Sequence, residues 1–168
     1  MPKGLKQTSS VVNIGFSVSE SAANTFTQGS VDLNLSPLDN EVFVVLAVNL
    51  DVSSPEYISG SNTQVRAGLT STSQTSIPSL ADANCMARAS EKIRTDAIGG
   101  VAFATQALET PPATLEYIGI IATNDFFVQV EGTGNAAAKG VSGKLYGYRA
   151  MADASTYAAL VQSEVLSA

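Results

Sequence analysis

Histidine and tryptophan are absent from these 168 residues, and cysteine occurs once, at Cys85. Each gap removes a kind of chemistry. Without histidine there is no Ser–His or Cys–His nucleophile pair, and no Ser-x-x-Lys stands in for one. A single cysteine forms no internal disulfide and supplies no cysteine-rich zinc site. Its apolar and small neighbours point to a buried thiol. Carboxylate pairs do glycosidase work without histidine; here Glu109 and Glu116 flank the double proline, and Asp125 and Glu131 flank a strand. With no tryptophan platform for a sugar, they read as solvated turn residues. Charge is scarce as well, at 14% of residues against about 25% in soluble proteins. The net charge of −6 argues against a broad nucleic-acid-binding face. Lys3 and Lys6 are too few for a polybasic arm. Arg88, Lys92 and Arg94 form the one basic cluster, diluted by Glu91 and Asp96. No apolar run approaches the ~20 residues of a membrane span. The opening residues lack the apolar core of a signal peptide, so synthesis in a cytoplasm is expected.

Apparent motifs fail on spacing. Gly132 to Gly140 invites a phosphate-loop reading, but no glycine precedes Lys139 and no hydroxyl residue follows it. After Gly143-Lys144, Leu145 occupies the place of the magnesium-binding hydroxyl. Both read as strand connections, the first small and flexible. Asp32, Asp39, Glu41 and Asp51 gather near one turn without a calcium-loop signature. No catalytic, cofactor-binding or metal-binding residue is therefore assigned, no cofactor is expected, and the chain is not read as an enzyme.

What the chain has in abundance is alternation. Val12, Ile14, Phe16 and Val18 alternate with small or polar residues, the period-2 signature of a half-buried strand. Val31, Leu33 and Leu35 repeat it, and Ser36 to Asn40 supplies a turn. In Val42–Val52, Val42, Val44, Leu46, Val48 and Leu50 fall on one face and Phe43, Val45 and Ala47 on the other. This strand is expected to be central and covered on both sides. Val65, Ala67 and Leu69 mark a further strand. Residues 83–94 carry both helical and strand signals, and strand is preferred because the neighbours are strands. Val101, Phe103 and Thr105 continue the pattern to the Thr110-Pro111-Pro112 break. Residues 115–122 and 126–130 read as strands joined by a tight hairpin at Thr123-Asn124-Asp125. Val141 to Ala150 alternates again. Asp153 or Ser155 then caps a short helix with Tyr157, Leu160, Val161 and Val165 at helical spacing.

That makes about nine strands and one terminal helix, with no repeat or linker. The fold class is all-β, a sandwich or barrel. A flexible arm is expected over residues 1–10 and a single domain over 11–168. A weakly charged surface of small residues suits close approach between copies, since few ions need be desolvated. Tyr146, Tyr148 and Tyr157 are candidate subunit contacts, because tyrosine buries area and keeps a polar tip.

Two stretches carry a family resemblance. They are FTQGSVDLNLSPLDNEVFVVLAVNLDV, from Phe26 to Val52, and the segment from Leu115 to Ala168 that includes EYIGIIATNDFFVQVEG and GVSGKLYGYRAMADASTY. Together they cover about half the chain, and both resemble the small single jelly-roll major capsid proteins of tailless icosahedral marine DNA viruses. The resemblance implies an eight-stranded single jelly roll with an extra N-terminal strand, self-assembly into capsomers, and a place in the virion shell. It brings no catalytic residues. The Arg-rich arm of many RNA-virus coat proteins is missing, so genome condensation would fall to an internal membrane, other coat proteins or a packaging motor. A decoration protein on a phage head and a β-sandwich glycan-binding module remain alternatives.

Overall fold

Val42, Phe43, Val44 and Val45 point alternately to opposite faces of an extended chain, and all four are buried. A strand of this kind needs cover on both sides. The computed structural model, which describes residues 2–106 and 114–167, supplies it. The elements in chain order are β1 (Leu5–Gln7), β2 (Val12–Ser19), β3 (Thr27–Asp32), β4 (Glu41–Val52), β5 (Thr63–Thr70), β6 (Cys85–Thr95), β7 (Val101–Thr105), β8 (Gly119–Ile121), β9 (Asp125–Thr133), β10 (Gly140–Ala152) and α1 (Ala154–Leu166). Residues 83–94 are thus mainly strand, as preferred. The Thr110-Pro111-Pro112 break and Glu109 lie outside the described residues.

The strands form two antiparallel sheets packed as a sandwich. In the first, β10 lies between β4 and the end-to-end pair β1 and β2, and β8 pairs with the far side of β4. The second has the order β3–β9–β5–β6–β7. Between the sheets lies a core containing Phe43, Val45, Leu50, Val65, Leu69, Ile121, Phe126, Val128, Val130 and Leu145. Phe16 of β2 meets Phe126 of β9 edge to face, with centroids 5.7 Å apart, a favoured aromatic geometry that ties one sheet to the other. On the outer face of the first sheet, Val42, Val44, Tyr148, Ala150 and Ala152 form a second cluster, packed against Tyr157, Leu160 and Val161 of α1.

Four local expectations are corrected. The first concerns β4, whose faces do not alternate simply. Tyr146 is opposite Ala47 while Gly147 is opposite Val45, leaving Leu46 as an extra residue. Such a bulge reverses the facing of everything beyond it. Val42 and Val44 therefore join the cluster under the helix, whereas Val48 and Leu50 pack between the sheets. Gly147 lets the strands approach at this point: a Cβ there would meet the Phe43 ring and the Val44 carbonyl.

Second, β3 ends at Asp32, before Leu33 and Leu35. Asn34 takes a left-handed conformation (φ 51°), and its N–H donates to Asp32 Oδ1 at 2.6 Å. Leu33 and Leu35 are still buried, carried by a corner instead of a strand. Third, Thr123-Asn124-Asp125 makes no hairpin. β8 pairs with β4 and β9 with β3 and β5, so the connection crosses from sheet to sheet. Asn124 ties the two corners together: its carbonyl accepts Leu33 N–H and its side chain accepts Leu35 N–H, both at 2.7 Å. Fourth, the N-terminal segment is not wholly an arm. Leu5–Gln7 pairs with Gln7 opposite Ala150, because Leu5 has an apolar place beside Val42 and Ala152.

Candidate functional site

The three tyrosines expected at subunit contacts make the surface the candidate site. Tyr148 and Tyr157 are brought together, but in the cluster beneath α1. Tyr148 is buried, and that burial, followed by the negative Glu116, pushes its hydroxyl above the ordinary tyrosine range. These two rings are used within the subunit. Tyr146 stands on the same outer face but beyond that cluster, half-buried, with Asn13 and Ala47 as cross-strand neighbours. Around it lie small or polar residues: Gly15 and Asn49 oppose Lys144, while Ser17 and Asp51 oppose Ser142. Tyr157 is half-buried too, and of the three tyrosines Tyr146 is the one outside the cluster under α1.

The helix that covers Tyr148 and carries Tyr157 is held at both ends. Asp153 Oδ1 accepts Thr156 N–H at 2.8 Å, an N-cap that satisfies one of the helix's orphan donors. The Ser155 hydroxyl and Thr156 N–H hold the Asp153 carboxyl below its ordinary range. Near the C-terminus, the inward residue is Glu164 and not Val165, which is 60% exposed. Glu164 Oε2 accepts the N–H groups of Ala122 and Thr123 at 2.8 and 3.1 Å, and Oε1 accepts the Thr123 hydroxyl at 2.8 Å. A cleft of about 430 Å³ between α1 and the corners is lined by Leu35, Pro37, Ala122, Thr123, Asn124, Tyr157 and Val161. It offers apolar walls and one phenol, but no charged group to orient a reacting ligand.

At the opposite end of the first sheet, the 134–139 loop is fixed, not flexible. Buried Glu20 accepts the N–H groups of Thr25, Gly132 and Lys139 at 2.9, 2.6 and 2.7 Å. Asn135 is buried as well, its side chain accepting Glu56 N–H and donating to the Gln64 carbonyl. Glu56 accepts Ala136 N–H and pairs with Lys139 Nζ at 3.2 Å, and these contacts hold its carboxyl below the ordinary range. The geometry here is that of a clasp: these acids are occupied with backbone donors.

Other sequence candidates are likewise spent locally. Asp32 accepts Asn34 N–H and the Asn124 side chain, Asp39 accepts the Ser36 hydroxyl, and Glu41 accepts Ser36 N–H and pairs with Arg149. Among the described residues no group of acids, histidines and cysteines is placed to hold a metal ion. Cys85 is a half-buried free thiol whose ionisation burial disfavours. On β6, Arg88 and Lys92 are half-buried and Arg94 is exposed.

Apolar surface stands out on β7, which the alternation marked as a strand but not as exposed, and on the turn before β4. Val101 and Phe103 of β7 are 57% and 59% exposed, and Leu38, on the 3-10 turn Pro37–Asp39, is 95% exposed. Their residue types fit a core; only pairing partners reveal that β7 is a sheet edge. No helix among the described residues is long and apolar enough to cross a membrane. Comparison with protein-family models, curated proteins and solved structures gives no match.

Proposed function

We propose that the sandwich is a single jelly roll and that the chain is a major capsid protein, self-assembling into capsomers of an icosahedral virion shell. The observation that carries this reading is the path of the chain. Counting β2, β3, β4, β5, β6, β8, β9 and β10 as one to eight, the sheets run 1-8-3-6 and 2-7-4-5. Eight antiparallel strands wound in this manner are the jelly-roll plan found in viral capsid and lectin domains. β1 then extends the line of β2, and β7 is a hairpin addition beyond β6.

The choice of capsid over lectin rests on the surface. The cleft beside α1 has no charged side chain and only Tyr157 as an aromatic wall, while exposed apolar side chains occur at separate places around the molecule. A closed shell needs several modest contacts per subunit, so that misplaced copies leave and closure supplies the cooperativity. Partners would be further copies, with other coat proteins or an internal membrane handling the genome. Electron microscopy of the concentrated recombinant protein tests this directly. Capsomers, sheets or shells are expected; a protein that stays monomeric at high concentration and binds a glycan array overturns it.

A further inference from the structure

We propose that the free edge of β7 pairs antiparallel with β7 of a second copy, so that the second sheet continues across a two-fold axis at Phe103. The biological sense of this contact rests on the capsid reading, but its geometry stands on the strand itself. β7 pairs with β6 along one edge, and among the described residues no strand pairs with the other. Alternate residues of a strand edge aim N–H and C=O outward, and these groups are matched by another strand. All five residues of β7 are exposed, so both of its faces are open.

The sequence of β7, Val-Ala-Phe-Ala-Thr, contains no lysine, no proline and no inward charge. Those are the devices by which sheets protect an edge from pairing. The edge formed by β2 and β3 differs. There a Cβ on Gly29 would lie 2.7 Å from Val18, and Ser21 N–H donates to the Thr27 hydroxyl at 3.0 Å, so the two sheets shield one another.

Self-pairing also satisfies charge and symmetry. A molecule with net charge −6 meets its copy best where neither side is charged. In the paired arrangement Lys92 and Arg94 on β6 lie three strand spacings from their counterparts, about 14 Å. That exceeds the screening length of about 8 Å at physiological salt. Centring the axis on Phe103 uses the whole strand: Phe103 opposes its own copy, and Val101 opposes Thr105. Directly opposed aromatics stabilise an antiparallel pair, and a two-fold contact is self-complementary by construction. Two five-residue strands bury less than a standard interface, which makes this a weak contact suited to reversible assembly.

Cysteine crosslinking in full-length protein carrying Cys85→Ser tests the register. Opposed residues have Cα atoms about 4.5–5.5 Å apart, inside the range a disulfide spans. Phe103→Cys should therefore give a covalent dimer under mild oxidation. Val101→Cys alone should not, whereas a mixture of Val101→Cys and Thr105→Cys chains should. Phe103→Lys sets like charges opposite one another and should weaken association by about tenfold or more, with thermal stability unchanged because the side chain is exposed. Failure of Phe103→Cys to crosslink, or equal crosslinking by Val101→Cys, overturns the β7 contact. If shells form while that contact fails, the capsid reading survives; if the dimer crosslinks and no higher assembly ever forms, the contact survives and the capsid reading falls.

Discussion

Glu20 shows how one side chain fixes a region whose composition suggests mobility. The segment from Gly132 to Gly140 is rich in glycine and alanine, and apart from the Asn135 and Lys139 side chains little in its own residues specifies a shape. Its order comes from a carboxylate far away in sequence, which accepts Thr25, Gly132 and Lys139 N–H groups. A buried N–H that loses its acceptor bears the full desolvation cost. Glu20→Gln keeps one carbonyl oxygen but turns an NH2 group toward Lys139 or Gly132, donor against donor. The expected loss is about 1–3 kcal/mol, read as a lower denaturation midpoint with unchanged slope. Amide exchange should accelerate at Gly132 and Lys139 before it does in β4. No sequence signal announced this role, because a glutamate after a strand reads as solvated until its partners are located.

The strands themselves were legible where both faces carried a pattern: β2, β4, β5 and β10 fall where alternation puts them. What was illegible was how they join. Leu33 and Leu35 continue the β3 alternation, yet Asn34 turns left-handed and ends the strand. Thr123-Asn124-Asp125 has hairpin composition, but β8 and β9 find partners in different sheets. Turn composition says that the chain turns, and tertiary pairing decides where it goes next. The same holds for α1, where spacing selected Val165 as an inward residue. Glu164 takes that place because the corner at Ala122 and Thr123 presents two N–H donors that need an acceptor. Glu164→Ala removes it and should cost about 1.5–3 kcal/mol, the range for hydrogen bonds to a charged group. Hydrogen exchange should then rise through α1 while the strands between the sheets stay protected, since the helix covers Val42 and Val44 from outside and is not part of the inter-sheet core.

The assembled molecule divides its three candidate tyrosines between two tasks, which gives a test that separates folding from association. Tyr148 is buried under α1 and touches the cluster that also holds Tyr157. Truncating a large buried aromatic leaves a cavity and costs about 3–5 kcal/mol. Tyr148→Ala should therefore lower thermal stability strongly, and any loss of assembly should follow from loss of folded protein. Tyr146 lies on the open part of the same face among small and polar neighbours. Removing it exposes no core, so Tyr146→Ala should shift stability by only about 0.5 kcal/mol, as surface substitutions do. If this face meets another copy, the same substitution should raise the concentration needed for assembly, because tyrosine is enriched among residues that anchor interfaces. Unfolding curves and light scattering on the two variants give the comparison. Equal destabilisation by both would place Tyr146 in the fold's interior packing, and unchanged assembly in a stable Tyr146→Ala protein would remove this face from the contact surface and leave the edges of the sandwich to make it.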